Sequence, residues 1–337
     1  MSKTPVLALT MGDPGGVGPE VVLKALSSFK KNHKIAYLMI GPLQALQRFP
    51  WFKEKIVFTS TKNASSIQTP GIYFFDITKQ ASELLLKKHR KITAPVIRAG
   101  KISIENSAFA WAALAWAAKN AALGNVDGIA TAPVNKSTMR LFDPKFHGHT
   151  EYLAQTAKAK SFAMMFVSER LKVTLVTIHE PIQKISRLIR KKNVAEKIKL
   201  THEFLTRRYK IKNPRIAVCA LNPHGKETGV EDEREIRPAV EFATRQGINA
   251  VGPLSADQIF YDAYQGRFDA VIAMYHDQGL APFKMIAFEE GVNLTLGLPY
   301  VRTSPDHGTA FDIAYQNKAN PVSMLSAIRL AENLILA

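Results

Sequence analysis

The sequence has one cysteine, Cys219, so no internal disulfide can brace the chain. The run Ile216-Ala217-Val218-Cys219-Ala220-Leu221 around it reads as a buried strand, and the thiol as plain core. Long apolar runs are also missing. Even Ala108 to Ala122 is broken by Lys119 and Asn120, whereas a bilayer-spanning helix needs ~20 predominantly apolar residues. The opening MSKTPVLALTMGDPGG has too short an apolar run for a secretory signal, so the expectation is a soluble, cytoplasmic protein with no membrane partner. No G-x-S-x-G nucleophile elbow occurs. The Gly-rich opening Gly12-Asp13-Pro14-Gly15-Gly16-Val17-Gly18 lacks the Gly-Lys-Ser/Thr of a P-loop, and Val21 stands where a dinucleotide fingerprint needs glycine. It reads either as a tight structural turn or as a ligand contact.

Acidic side chains are few against basic ones, 28 to 45, for a formal charge of +17. Such a balance can serve nucleic acid. Here the cations at Lys30-Lys31, Lys87-Lys88-His89-Arg90-Lys91, Arg187 to Lys192 and Arg207 to Lys212 are dispersed. They lack the interleaved aromatics of a strand-binding platform, so they read as solvated surface that steers an anionic substrate, with no nucleic-acid partner.

What is present is a globular composition over 337 residues, enough for two domains with a cleft. β-type runs occur at Val6 to Met11, Ile35 to Ile40, Ile72 to Phe75, Gly128 to Thr131, Phe162 to Val167, Val173 to Ile178, Ile216 to Leu221, Ala270 to Met274 and Asn293 to Leu298. Helical patterns alternate with them, including Ser103 to Leu123, Lys184 to Tyr209 and Val322 to Leu336. This order predicts an α/β fold: two α/β/α-layered domains with mostly parallel sheets. Ser168-Glu169-Arg170 reads as a tight hairpin turn, an antiparallel element marking a second domain.

The nine histidines divide by neighbourhood. His33, His89 and His202 lie among charged or polar residues and read as solvated. His147, His149, His179, His224, His276 and His307 lie at strand ends or in Gly/Pro loops, where α/β proteins place ligands. His179, His224 and His276 each follow a strand. Taken singly, each would be an ordinary loop residue; the repeated context points to a divalent metal held by three imidazoles.

Met11 to Glu20, Thr131 to Lys136, Gly148-His149-Thr150-Glu151, Asn222-Pro223-His224, Tyr275 to Gly279 and Gly291 to Gly308 together resemble one family, the 4-hydroxythreonine-4-phosphate dehydrogenases of pyridoxal-phosphate biosynthesis. The resemblance runs from end to end. It implies an isopropylmalate-dehydrogenase-like fold, with residues 1–132 and 292–337 forming a cofactor-side domain, 133–291 carrying metal ligands and dimerisation, and the active-site cleft between them. It implies a metal, Zn, Mg or Co, on His179, His224 and His276, shared across a homodimer in which one subunit gives His179 and His224 and the other His276. Substrate contacts fall on His149, Thr150, Lys284, Asn293 and Arg302, and NAD or NADP on Asp306, His307, Gly308, Thr309 and Asp312. The proton acceptor is Asp257, Asp277 or Lys284, with Asp277 alternatively orienting a histidine.

The implied reaction oxidises C3 of a phosphorylated hydroxythreonine, followed by loss of CO₂. Rival readings are oxidation of a phosphorylated threonate or erythronate, a metal hydrolase, and a basic nucleic-acid binder. Two departures from the family pattern stand out. His224-Gly225-Lys226-Glu227 replaces His-Ala-Gly-Glu, and Pro14-Gly15-Gly16 replaces Pro-Ala-Gly, a change expected mainly to add backbone freedom.

Overall fold

The structure, a computed structural model, describes residues 3–29, 33–52, 58–61, 63–88, 92 and 94–337. Lys30, Lys31 and His89 lie outside the described residues. Among the described residues twelve strands occur in chain order: β1 (Val6–Thr10), β2 (Ala36–Gly41), β3 (Thr59–Ser60), β4 (Gly71–Asp76), β5 (Gly128–Thr131), β6 (Ala163–Val167), β7 (Lys172–Leu175), β8 (Ile216–Cys219), β9 (Ala250–Leu254), β10 (Ala270–Ala273), β11 (Val292–Leu296) and β12 (Val301–Pro305).

Two compact units form, one of residues 1–159 with 298–336, the other of 160–297. The first contains strands in the order β3-β4-β2-β1-β5-β12, all parallel. Its central strands β1, β2 and β5 are buried at every position, as expected where helices cover both faces. The helix Ile104–Ala122 starts where the Ser103 side chain accepts from the Asn106 N–H. Its alanines allow close packing, and it ends just before Gly124 at φ +73°.

The second unit has the order β11-β6-β7-β10-β8-β9. β6 and β7 form the expected antiparallel hairpin, closed by Ser168 N–H donating to Leu171 O at 2.9 Å. β11 adds antiparallel to β6, while β7, β10, β8 and β9 run parallel. Cys219 is fully buried in β8, and burial pushes its thiol pKa up.

Three sequence readings need correction. The basic stretch 184–209 is two helices, Ile182–Leu188 and Lys191–Arg208, because Arg190 is extended (φ −129°, ψ 143°). Glu235 accepts from the Lys191 N–H at 2.7 Å there, satisfying the second helix's first donor from outside. Residues 133–159 pack in the first unit rather than the second: Trp111 of the long helix meets Tyr152 at 5.0 Å between ring centroids. Residues 292–297, in turn, lie in the second unit through β11. Finally, β12 was missed because Arg302, Thr303, Ser304 and Pro305 break the apolar pattern, although all five of its residues are buried.

Candidate functional site

In the second unit β7, β10 and β8 are adjacent and parallel, so the chain segments carrying His179, His276 and His224 leave the same edge of the sheet. Side chains stitch these exits together. Thr177 donates both its N–H (3.1 Å) and its hydroxyl (2.8 Å) to Met274 O, tying the segment after β7 to the end of β10. Gln278 accepts from Met274 N–H and donates to Ala220 O, both at 2.7 Å, tying β10 to β8. The buried Asp232 carboxylate takes Leu221 N–H at 2.7 Å and the Asn222 amide at 2.8 Å, fixing the turn in which His224 sits at φ +57°.

The helix His276–Ala287 lies tight on the sheet at Gly279. A Cβ there would fall 2.7 Å from Leu175 and 3.0 Å from Val173 and Ala273, so glycine sets how closely His276 approaches its neighbours. The rings of His179 and His276 are 5.7 Å apart between centroids, within one chain. His276 Nδ1 is 2.7 Å from Asp277 Oδ1. With a proton on that nitrogen, the carboxylate fixes the tautomer and leaves Nε2 with its lone pair for a metal.

His224 lines a cavity of about 490 Å³ shared with Asn222, Asp257, Tyr275 and Gln278. The Ser255 hydroxyl (2.6 Å) and the Gln258 N–H (2.9 Å) donate to Asp257, and with the nearby His224 they hold its carboxyl below the usual range. Among the described residues no three His, Cys, Asp or Glu side chains stand ready to hold one ion. His179 and His276 come together within one chain and are donors of a type suited to a divalent cation, while His224 is not grouped with them. Lys284 places its ammonium 5.9 Å from the ring centroid of Phe288, the residue just past the end of its helix. Asn293 lies in β11 opposite Phe166, with its Oδ1 buried and unpartnered.

The first unit holds the other predicted substrate residues. Arg302, only 3% exposed in β12, donates to Thr131 Oγ1 at 2.8 Å and Thr150 Oγ1 at 3.3 Å. Burial lowers its pKa to about 10, partly opposed by Glu151. His149 opens the helix His149–Thr156; burial first, then the charges of Arg302 and Lys136, push its pKa down to about 3. It is neutral at any physiological pH, and its Nε2 is buried with no hydrogen-bond partner. A buried guanidinium beside two hydroxyls and a neutral imidazole suits a phosphate or carboxylate. Thr131 and Lys136 were not singled out from sequence, although both belong to the stretch Thr131 to Lys136 that begins at the last residue of β5.

The loop Asp306 to Asp312 lies against the Gly-rich opening. Val17 N–H donates to Thr309 O at 2.9 Å, and a Cβ on Gly16 would stand 2.3 Å from that same oxygen. His307 Nδ1 lies 2.9 Å from Gly308 O while Nε2 is buried without a partner, and a Cβ on Gly308 would meet nothing within 4 Å. Open backbone beside an orphaned imidazole nitrogen fits a ligand edge such as that of a dinucleotide. Asp13 is almost fully buried in the same opening; desolvation raises its carboxyl to about 6 although Gly15 N–H donates to it at 2.9 Å.

The Gly15 departure proves to be a matter of space: a Cβ would lie 2.1 Å from Asn106 Nδ2, the amide that donates to Arg98 O and Lys101 O. His202 is not simply solvated, since its Nδ1 is buried without a partner. His33 packs edge-on to Tyr37 at 5.4 Å, and His147 is exposed.

A family model described as pyridoxal phosphate biosynthetic protein PdxA matches residues 37–331. A 4-hydroxythreonine-4-phosphate dehydrogenase of Geobacter metallireducens is 40% identical over 98% of this chain and 95% of that protein. A D-threonate 4-phosphate dehydrogenase of Salmonella typhimurium is 37% identical over 98% of this chain and 99% of that protein. Among solved structures, the 4-hydroxythreonine-4-phosphate dehydrogenase of Klebsiella pneumoniae superposes with a TM-score of 0.83 at 33% identity, covering 98% of this chain and all of that one. No helix among the described residues is long and apolar enough to cross a membrane.

Proposed function

The chain belongs to the pyridoxal phosphate biosynthetic protein PdxA family, and on that footing we propose that it is an NAD(P)- and divalent-metal-dependent dehydrogenase acting on C3 of 4-phosphohydroxy-L-threonine. The product, 2-amino-3-oxo-4-phosphooxybutanoate, then loses CO₂ to give 3-amino-2-oxopropyl phosphate. The observation that carries this reading is the buried Arg302 with its Thr131 and Thr150 partners beside neutral His149, a setting made for an oxyanion.

In this reading Arg302, Thr150 and His149 grip the anionic part of the substrate, with Lys284 and Asn293 as further contacts. His179, His224 and His276 hold the metal, shared across a homodimer; the approach of His179 to His276 within one chain supports these two coming from one subunit rather than from different ones. Asp306, His307, Gly308, Thr309 and Asp312 take the adenosine side of the cofactor. When bound, a divalent cation acidifies the substrate hydroxyl while NAD(P) accepts the hydride from C3. Asp277 is occupied with His276 and acts as its orienter. Asp257, held below the usual carboxylate range, is a weak base. Lys284 is the remaining candidate for proton acceptor, a role that requires it to be deprotonated when substrate binds.

A second reading, oxidation of D-threonate 4-phosphate, is favoured by relatives of that name at 36–38% identity over nearly the whole chain. Purified protein should form NAD(P)H with 4-phosphohydroxy-L-threonine, lose that activity to a chelator and regain it with a divalent ion. Clear preference for the threonate would transfer the assignment. Absence of turnover with either acid would end the dehydrogenase reading.

A further inference from the structure

Beside His149 stands a second cation, Lys136, that the substrate assignment does not use. Lys136 opens the short helix Lys136–Met139, whose start is fixed by Asn135 accepting from Thr138 N–H at 3.1 Å. A Cβ built on Gly148 would lie 3.7 Å from both Cε and Nζ of Lys136, and 2.8 Å from Oε2 of Glu151. The ammonium and the carboxylate therefore converge on the bare backbone immediately before His149. Lys136 is also one of the two positive charges felt by His149, the other being Arg302.

Among the described residues the Lys136 side chain has no ion pair and no hydrogen bond. One carboxylate, Glu151, thus faces two cations around a neutral imidazole whose Nε2 has no partner. Two cations beside one imidazole present two positive charges to whatever binds there, and a singly charged group answers only one of them. A dianion answers both. The two cations also differ in kind. Arg302 is rigid, buried and directional, whereas Lys136 is an exposed point charge on a flexible stem.

We infer that Lys136 is a further anion-binding and specificity-determining residue beside His149 and Arg302, selecting ligands that carry a doubly charged phosphoryl group over those that do not. The identity of the substrate rests on the function proposed above; the anion site itself does not.

The test uses the full-length protein and the variants Lys136→Ala and Lys136→Arg, with inorganic phosphate as a binding probe alongside turnover of the phosphorylated hydroxythreonine. Lys136→Ala should weaken phosphate binding and raise KM for the phosphorylated substrate about tenfold or more, the scale of one charge-assisted contact. The loss should fall in KM rather than kcat, Lys136→Arg should recover most of it, and the salt dependence of KM should flatten in Lys136→Ala. A purely structural lysine would instead shift the unfolding midpoint and leave the salt dependence intact. Phosphate affinity and KM within twofold of the parent in Lys136→Ala would overturn the inference. Failure of the parent to turn over the substrate would sink the proposed function instead, and phosphate binding by the two variants would still decide the role of Lys136.

Discussion

Replacing Arg302 by methionine should separate what this residue does for binding from what it does for stability. A guanidinium held at about 10 instead of 12.5 costs the fold about 3 kcal/mol at neutral pH. The sign follows from linkage: a base depressed in the folded state is penalised wherever it stays protonated. The penalty is therefore complete below about pH 10 and fades only as pH climbs toward 12.5. Arg302→Met removes that penalty and also the bonds to Thr131 and Thr150, worth about 1 kcal/mol each, with two hydroxyls left short. These opposing changes nearly cancel. The unfolding midpoint should move by less than about 4 °C in either direction, although a buried charged residue has been deleted.

Binding has no such compensation. Charge-assisted bonds to an oxyanion are worth roughly 1.5–3 kcal/mol each, so losing two should lower kcat/KM by about 10²- to 10⁴-fold. Thermal unfolding of the free protein and steady-state kinetics with the phosphorylated acid measure the two effects. A variant with kcat/KM within fivefold of the parent would refute the reasoning, as would one too unstable to purify.

Other outcomes follow from the same geometry. Asp277→Ala should cost about 10- to 100-fold in metal affinity, read by chelator competition, because His276 Nδ1 loses its carboxylate; unchanged affinity would remove Asp277 as orienter. Asp13, with its carboxyl raised to about 6 by burial, takes up its proton more readily folded than unfolded, so it favours the fold at acid pH and weakens it as pH rises through that value. Urea unfolding should show about 2 kcal/mol of stability lost between roughly pH 4.5 and 7.5 in the parent that is absent in Asp13→Asn. His149, pushed down to about 3, should show no imidazole titration by NMR between about pH 5 and 8; a midpoint inside that window would show that it is less buried than described.

Much of the architecture follows from local pattern. Apolar runs bounded by Gly and Pro specify the strands, and Ser103 and Gly124 bracket the long helix. Three histidines just past three strands pointed to one edge of one sheet, which β7, β10 and β8 then provide. These features are legible because they depend on hydrophobic period and on residues close in sequence. β12 was not, since its polar residues are buried by neighbours distant in sequence, and the break at Arg190 depends on Glu235, 45 positions away.

What the chain alone determines about this protein is its α/β character and its family, because both are written in local spacing and motif. Tertiary structure decided which groups work together: Arg302 with Thr131 and Thr150, His276 with both His179 and Asp277, and Lys136 beside His149. It also decided the charge states, since the values near 3, 6 and 10 for His149, Asp13 and Arg302 arise mainly from desolvation. Desolvation is set by everything packed around a group, and that packing is assembled from segments the linear order keeps apart.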